Sequence, residues 1–176
     1  MTRTSLLVFL VTAACGCGAV DGTDPYALWK TYEHPLGAFH FHYPSPPWKE
    51  ADGSTDTDLV LVVDPGPTSD AGEPGARYRL EAAVVAGDVA EDASVAEQSR
   101  LEARGYGTSP PRGWENGAGD HGVIIEGRND GASVAAVLLA TSYGVAALRI
   151  FTRDDIDDPD VDLLLESLEP RAAGEN

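Results

Sequence analysis

Residues 133–152 read SVAAVLLATSYGVAALRIFT. Two runs rich in valine, leucine, isoleucine and alanine, 133–141 and 145–152, flank Ser142-Tyr143-Gly144. Each run has strand length, and the tripeptide between them carries the residue types of a hairpin turn. In the middle of both runs apolar residues occupy both faces instead of alternating with polar ones. A strand that is apolar on both faces is buried on both faces, so the pattern predicts an antiparallel pair at the centre of a sheet covered from two sides.

Four more strands surround this pair in the sequence. Residues 123–128 are one. Residues 77–86 (RYRLEAAVVA) are another, with Tyr78, Leu80, Ala82 and Val84 on one face. Residues 59–63 (LVLVV) form a short buried strand stopped by Asp64-Pro65-Gly66. In residues 37–48 (GAFHFHYPSPPW), Phe39, Phe41 and Tyr43 alternate with His40 and His42 until Pro44, Pro46 and Pro47 end the strand. Two helices complete the pattern. Ser94 and Glu97 have the spacing of a capping box, followed by helix formers to Arg104 and a stop at Gly105. The second helix is announced by Asp158-Pro159, with Val161, Leu164, Leu165 and Leu168 at i, i+3, i+4 and i+7. Residues 26–35 suggest only a turn of helix around Ala27-Leu28-Trp29, and residues 106–120 read as irregular. Runs of strands with few helices between them argue for an α+β domain with a central antiparallel sheet of about six strands covered by helices.

That order of elements resembles the PsbP-like fold, named for an extrinsic protein of photosystem II and shared with the Ran-binding Mog proteins and some small bacterial lipoproteins. The residues that carry the resemblance are Phe39-x-Phe41-x-Tyr43-Pro44-Ser45 with Trp48, and Leu164-Leu165-x-Ser167-Leu168-Glu169 at the far end. The resemblance implies an αβα sandwich over about residues 37–170, and a family that is mostly non-catalytic. Residues 171–176 read as a loose tail.

The first seventeen residues are of another kind. Arg3 precedes an apolar run, SLLVFLVT, that is too short to span a bilayer, and Ala13-Ala14 lead to Cys15. Residues 1–14 therefore read as a signal peptide, and small residues before a cysteine resemble a bacterial lipobox. The resemblance implies that Cys15, or alternatively Cys17, becomes the lipidated first residue, with 15–36 as tether. Removing the signal leaves about 160 residues, enough for one domain with one core. It also leaves no cysteine beyond Cys15 and Cys17, so the domain stands without a disulfide. The net charge of −17 repels nucleic acid and anionic membrane surfaces, which leaves the acyl chains as the means of attachment. The expected place is the cell envelope, facing the periplasm or exterior, with an envelope protein as partner.

The chain offers few residues for chemistry. His40 and His42, one residue apart on a strand, share a face at a metal-ligand spacing, with His34 as a third candidate nitrogen. Asp154, Asp155, Asp157 and Asp158 open a run of six aspartates in nine residues that offers oxygen ligands for calcium, but without the EF-hand glycine and with Pro159 interrupting it the run is better explained as the start of a helix. Trp48, Tyr106 and Trp114 are loop-borne aromatics that can form a recognition patch. Glu81 and Glu126 are candidates for a facing carboxylate pair. There is no G-x-S-x-G, no H-E-x-x-H and no glycine-rich phosphate loop, so no catalytic residue and no cofactor is assigned. The expected function is a membrane-anchored, non-catalytic binding or assembly module. A metal- or small-ligand-binding lipoprotein is the alternative, and a hydrolase comes third.

Overall fold

The structure, a computed structural model, describes residues 25–45, 48–51, 54–55, 58–63, 78–153 and 159–171. The hairpin of residues 133–152 is at its centre. Strands β9 (Ala132–Thr141) and β10 (Gly144–Thr152) pair antiparallel in the register Leu138↔Ala147 and Val137↔Leu148. Outward from β10 lie β5 (Tyr78–Val85), β4 (Leu59–Val63) and β3 (Trp48–Glu50); outward from β9 lies β8 (His121–Asn129). Two short strands, β6 (Gly107–Thr108) and β7 (Arg112–Glu115), both pair with β8. Every pairing in this eight-stranded sheet is antiparallel.

Each face of the sheet is buried, as two-sided apolar strands require. On one face Leu61, Leu80, Val137, Leu148 and Ile150 pack against helix α2 (Pro159–Glu166) and a second, three-stranded sheet. That small sheet has the order β1 (Trp29–Glu33), β2 (Phe39–Pro44), β11 (Glu169–Pro170). It contributes Phe39 and Phe41, fully buried, while α2 and its end contribute Val161, Leu164, Leu165 and Leu168. Full burial of each such aliphatic or aromatic side chain is worth about 1.5–3 kcal/mol. On the other face Ile125, Val134, Leu138 and Ala147 pack against helix α1 (Ala90–Ala103), through Ala90, Ala93 and Leu101. The architecture is thus α+β and mostly antiparallel, with one helix on each face of the large sheet.

One side chain breaks the apolar pattern. Arg149 lies in mid-β10 and is almost fully buried, pointing toward α1. Glu97 of α1 meets it with two hydrogen bonds, Nε to Oε1 at 2.5 Å and Nη2 to Oε2 at 2.8 Å, and is as deeply buried. The capping box expected at Ser94 and Glu97 is therefore not a helix start. α1 begins at Ala90, with Val89 before it and no side-chain cap. Its first turn carries Glu91 and Asp92, which favour the positive end of the helix. Ser94 lies inside the helix, donating back to the Glu91 carbonyl at 2.6 Å.

Further corrections concern short strands. Residues 25–28 form turns, and residues 29–33 form β1 and pair along their whole length with β2, so the folded domain begins within the expected tether. Residues 106–120 contain β6 and β7, and Trp48–Glu50 is a strand. After the second helix, Glu169 and Pro170 pair with β2.

Removing one partner of a buried ion pair strands a charge at a cost of roughly 3–5 kcal/mol. Glu97→Ala is expected to lower the denaturant-unfolding free energy by about that much. The apolar double replacement Glu97→Leu with Arg149→Met should recover most of the loss. Equal losses in the single and double variants would show that the pair does not hold α1.

Candidate functional site: a cleft at the edge of strand β1

The main-chain geometry of β1 follows from its turn. Gly37, at φ +67°, lets its N–H reach the His34 carbonyl at 2.7 Å, and the His34 N–H donates to the Phe39 carbonyl at 3.0 Å. With Glu33 opposite His40 and Thr31 opposite His42, this places the inter-strand hydrogen bonds at Tyr32–Phe41 and Lys30–Tyr43. The N–H and C=O groups of Thr31 and Glu33 consequently point away from β2. The same alternation turns the main chain of His42 toward the other side. There the Ser167 hydroxyl accepts from its N–H at 2.8 Å and lies 3.2 Å from its carbonyl. One edge of β2 is thus closed by Ser167 and β11, while among the described residues no strand pairs with the outer edge of β1.

That outer edge borders a cleft of about 500 Å³, lined by Thr31, Tyr32, Glu33 and Pro35 on one side and Glu50, Thr55 and Leu59 on the other, with Tyr43. The lining holds two glutamates and neither lysine nor arginine. Its negative field registers on the tyrosines. Burial, then Asp58 and Glu50, push the Tyr32 hydroxyl up to about 12. Burial and Glu50 raise that of Tyr43 as well. A volume of this size is in the range of ligand-binding clefts. One of its hydroxyls, that of Thr31, shares a hydrogen bond with His42 Nδ1 at 3.0 Å.

The histidines separate. His40 and His42 share the exposed face of the small sheet, with ring centroids 6.0 Å apart. His42 stacks on Tyr26 at 4.8 Å and shares a hydrogen bond with the Thr31 hydroxyl at 3.0 Å. His40 Nε2 lies 3.4 Å from Glu169, and its Nδ1 is buried with no hydrogen bond among the described residues. His34 is on the opposite face, buried and stacked on Phe39 at 4.9 Å, because it is one residue out of phase with Glu33. It therefore cannot join the other two as a third ligand. No group of three metal-capable side chains forms among the described residues. Asp154, Asp155, Asp157 and Asp158 lie outside the described residues.

The three aromatics do not form one patch. Trp48 is buried beside Tyr78 at one edge of the large sheet, and Trp114 packs on the same core from β7 at the far edge. Tyr106 is on the other face, against Phe151. The carboxylates are also apart. Glu81 lies on the α1 face beside Arg149, whereas Glu126 shares a row with Ala135, Ile150 and Leu80 on the other. Burial pushes the Glu81 carboxyl up, but hydrogen bonds from Arg104 and Arg79 outweigh it and hold the group below its usual range. Glu126 pairs with Arg112 at 2.7 Å.

No protein-family model matches the chain, and no curated protein is significantly similar to it. It is similar in structure to a crystal structure at 1.50 Å of a protein from Bacteroides thetaiotaomicron VPI-5482, with a TM-score of 0.45 and 13% identity. The match covers 84% of this chain and 50% of that one, so this chain spans about half its length.

His40 generates a pH prediction. Burial holds its pKa below the ordinary 6.5; Glu169 and Glu33 act upward, Arg171 and His42 downward. A histidine depressed in the fold takes up its proton more readily when unfolded. The stability it contributes is therefore present above the unfolded value and lost as pH falls through the folded one. Between about pH 7.5 and pH 5 the melting temperature of the wild type should fall further than that of His40→Gln. Parallel curves would remove His40 from the acid response.

Proposed function

We propose that this chain is a lipid-anchored protein of the bacterial cell envelope whose domain, of the PsbP-like αβα type, is a non-catalytic binding or assembly module. The anchor rests on the N-terminal sequence, with residues 1–14 as signal peptide and Cys15, or alternatively Cys17, as the acylated residue. The fold assignment is supported by the large antiparallel sheet with one helix on each face, and by burial of Phe39, Phe41, Trp48, Leu164, Leu165 and Leu168, which carry the resemblance.

The observation that carries the binding role is the cleft beside the outer edge of β1, a concave surface where main-chain groups of Thr31 and Glu33 face outward. The cleft is also near the anchor in sequence. At about 3.5 Å per extended residue, the segment from Cys15 to Tyr26 reaches no more than roughly 40 Å. A domain held that close to the bilayer meets other envelope proteins at a high effective concentration, so modest intrinsic affinity is enough.

In a bacterial host, the wild-type chain is expected in the membrane fraction, carrying a fatty-acyl label. Cys15→Ala should leave the domain folded, abolish the label and release the protein from the membrane. Crosslinking in cells should join the wild type to an envelope protein, and the released variant much less. Retention of the label in Cys15→Ala with loss in Cys17→Ala would move the acceptor to Cys17. An unlabelled wild type in the soluble fraction would overturn the anchored reading.

A further inference from the structure

We propose that the outer edge of β1 takes an extended, cationic peptide segment of a partner protein as an added strand, with its lysine or arginine side chains over Tyr32 and Tyr43 and beside Glu50. The inference rests on the reading of the domain as a binding module and names its ligand class.

Three independent features converge on this edge. The register makes Thr31 and Glu33 the residues whose N–H and C=O groups face the cleft, giving the alternate donors and acceptors that strand addition uses. β1 carries two of the residue types that blunt an open edge, Lys30 within it and Pro35 after it, and leaves the main-chain groups of Thr31 and Glu33 between them facing outward. Here the edge borders a cleft of about 500 Å³, with the β3–β4 side as its far wall, so an incoming strand has a place to lie. The charge selects the occupant. Of the two glutamates in the lining, Glu33 is already paired with Arg171 at 2.7 Å, so Glu50, with Asp58 nearby, carries the charge, and two tyrosine rings offer faces for cation–π contact. Three other clefts flanking the large sheet carry arginine in their lining, Arg128 in one, Arg112 among Glu126, Asp162 and Glu166 in the second, and Arg79, Arg100 and Arg149 in the third, whereas the lining of the β1 cleft has none. An acidic strand would be repelled by Glu50, and a second copy of this chain would bring its own excess of negative charge.

The test uses the full chain purified in detergent and a capped peptide of about eight residues alternating lysine and valine. Controls are the same peptide with glutamate for lysine, and a lysine–valine peptide N-methylated on alternate residues, which keeps the charge but cannot complete the ladder. Binding is read by calorimetry, and hydrogen exchange is followed at the amides of Thr31 and Glu33. The expected result is saturable binding of the lysine peptide, slower exchange at those two amides, and at least about a tenfold loss of affinity on N-methylation, as removal of one or two net hydrogen bonds requires.

On the protein side, Thr31→Pro removes an outward N–H without touching the β1–β2 bonds, and should weaken binding similarly. Glu50→Lys should weaken it further as salt is lowered. If Thr31→Pro fails to fold, the N-methylated peptide makes the same test without changing the protein. Binding that is indifferent to N-methylation, or equal for the glutamate peptide, overturns the inference. So does slow exchange of both amides in the free chain, or a dimer abolished by Thr31→Pro, because the edge would then already have its strand. If no peptide binds while the anchored domain still crosslinks an envelope protein, the edge inference falls and the binding-module reading stands. Loss of the crosslink from the wild type would bring down the broader reading.

Discussion

Arg149 is almost fully buried, and its guanidinium is met by Glu97. Its neighbours in β10, Leu148 and Ile150, are fully buried on the opposite face, and its own face is closed by α1. An uncompensated guanidinium there would cost several kcal/mol. The bidentate contact with Glu97 offsets that cost, and at the same time fixes how far along the sheet α1 lies and how it is rotated. The helix has little else to position it, since only Ala90, Ala93 and Leu101 bring apolar surface to the core. With α1 held over the β9–β8 half, the β5 side of that face is left to Glu81 and the arginines that converge on it, Arg79 and Arg104.

The opposite face is organised by the end of α2. A helix of eight residues leaves several carbonyl groups without partners at its C-terminus. They are met from four directions. Tyr26 donates to the Leu163 carbonyl, Ser167 to that of Leu164, the Gly117 N–H to that of Glu166, and the buried Asn116 to that of Leu168. These contacts bring together the start of the domain, the turn before β8 and the last strand. Because Ser167 also serves the main chain of His42, the position of the small sheet is tied to the end of the helix.

That the outer edge of β1 has no pairing strand among the described residues follows from this arrangement. The small sheet can be closed on one side only, because α2, Ser167 and β11 all approach β2 from the C-terminal part of the chain. The free side therefore falls on β1, the strand next to the N-terminal segment. Positive charge is nonetheless close by, in Lys30 of β1 and in Arg171, which pairs with Glu33.

The elements that rest on local periodicity were legible in the residues. The two-sided apolar runs of β9 and β10 specify a central hairpin, the alternation of Phe39 and Phe41 a half-buried strand, and the spacing of Val161, Leu164, Leu165 and Leu168 a helix with one buried stripe. In each case the pattern records how many faces an element must bury, and that is a property of the element alone. Other features have no periodic signal because they are defined by a partner distant in the chain. Glu97 imitates a capping box and is in fact the counter-charge of Arg149, 52 residues away. Trp29-Lys-Thr-Tyr-Glu33 is too short and polar to announce a strand until β2 pairs with it. Trp48, Tyr106 and Trp114 look alike in loops, yet sheet order and face put them in three separate places. His34 differs from His40 and His42 only by a phase of one residue, and strand pairing turns that phase into opposite faces. The cleft belongs to this second kind: its walls come from β1, β2, β3 and the segment before β4, and long-range pairing and packing alone bring them together.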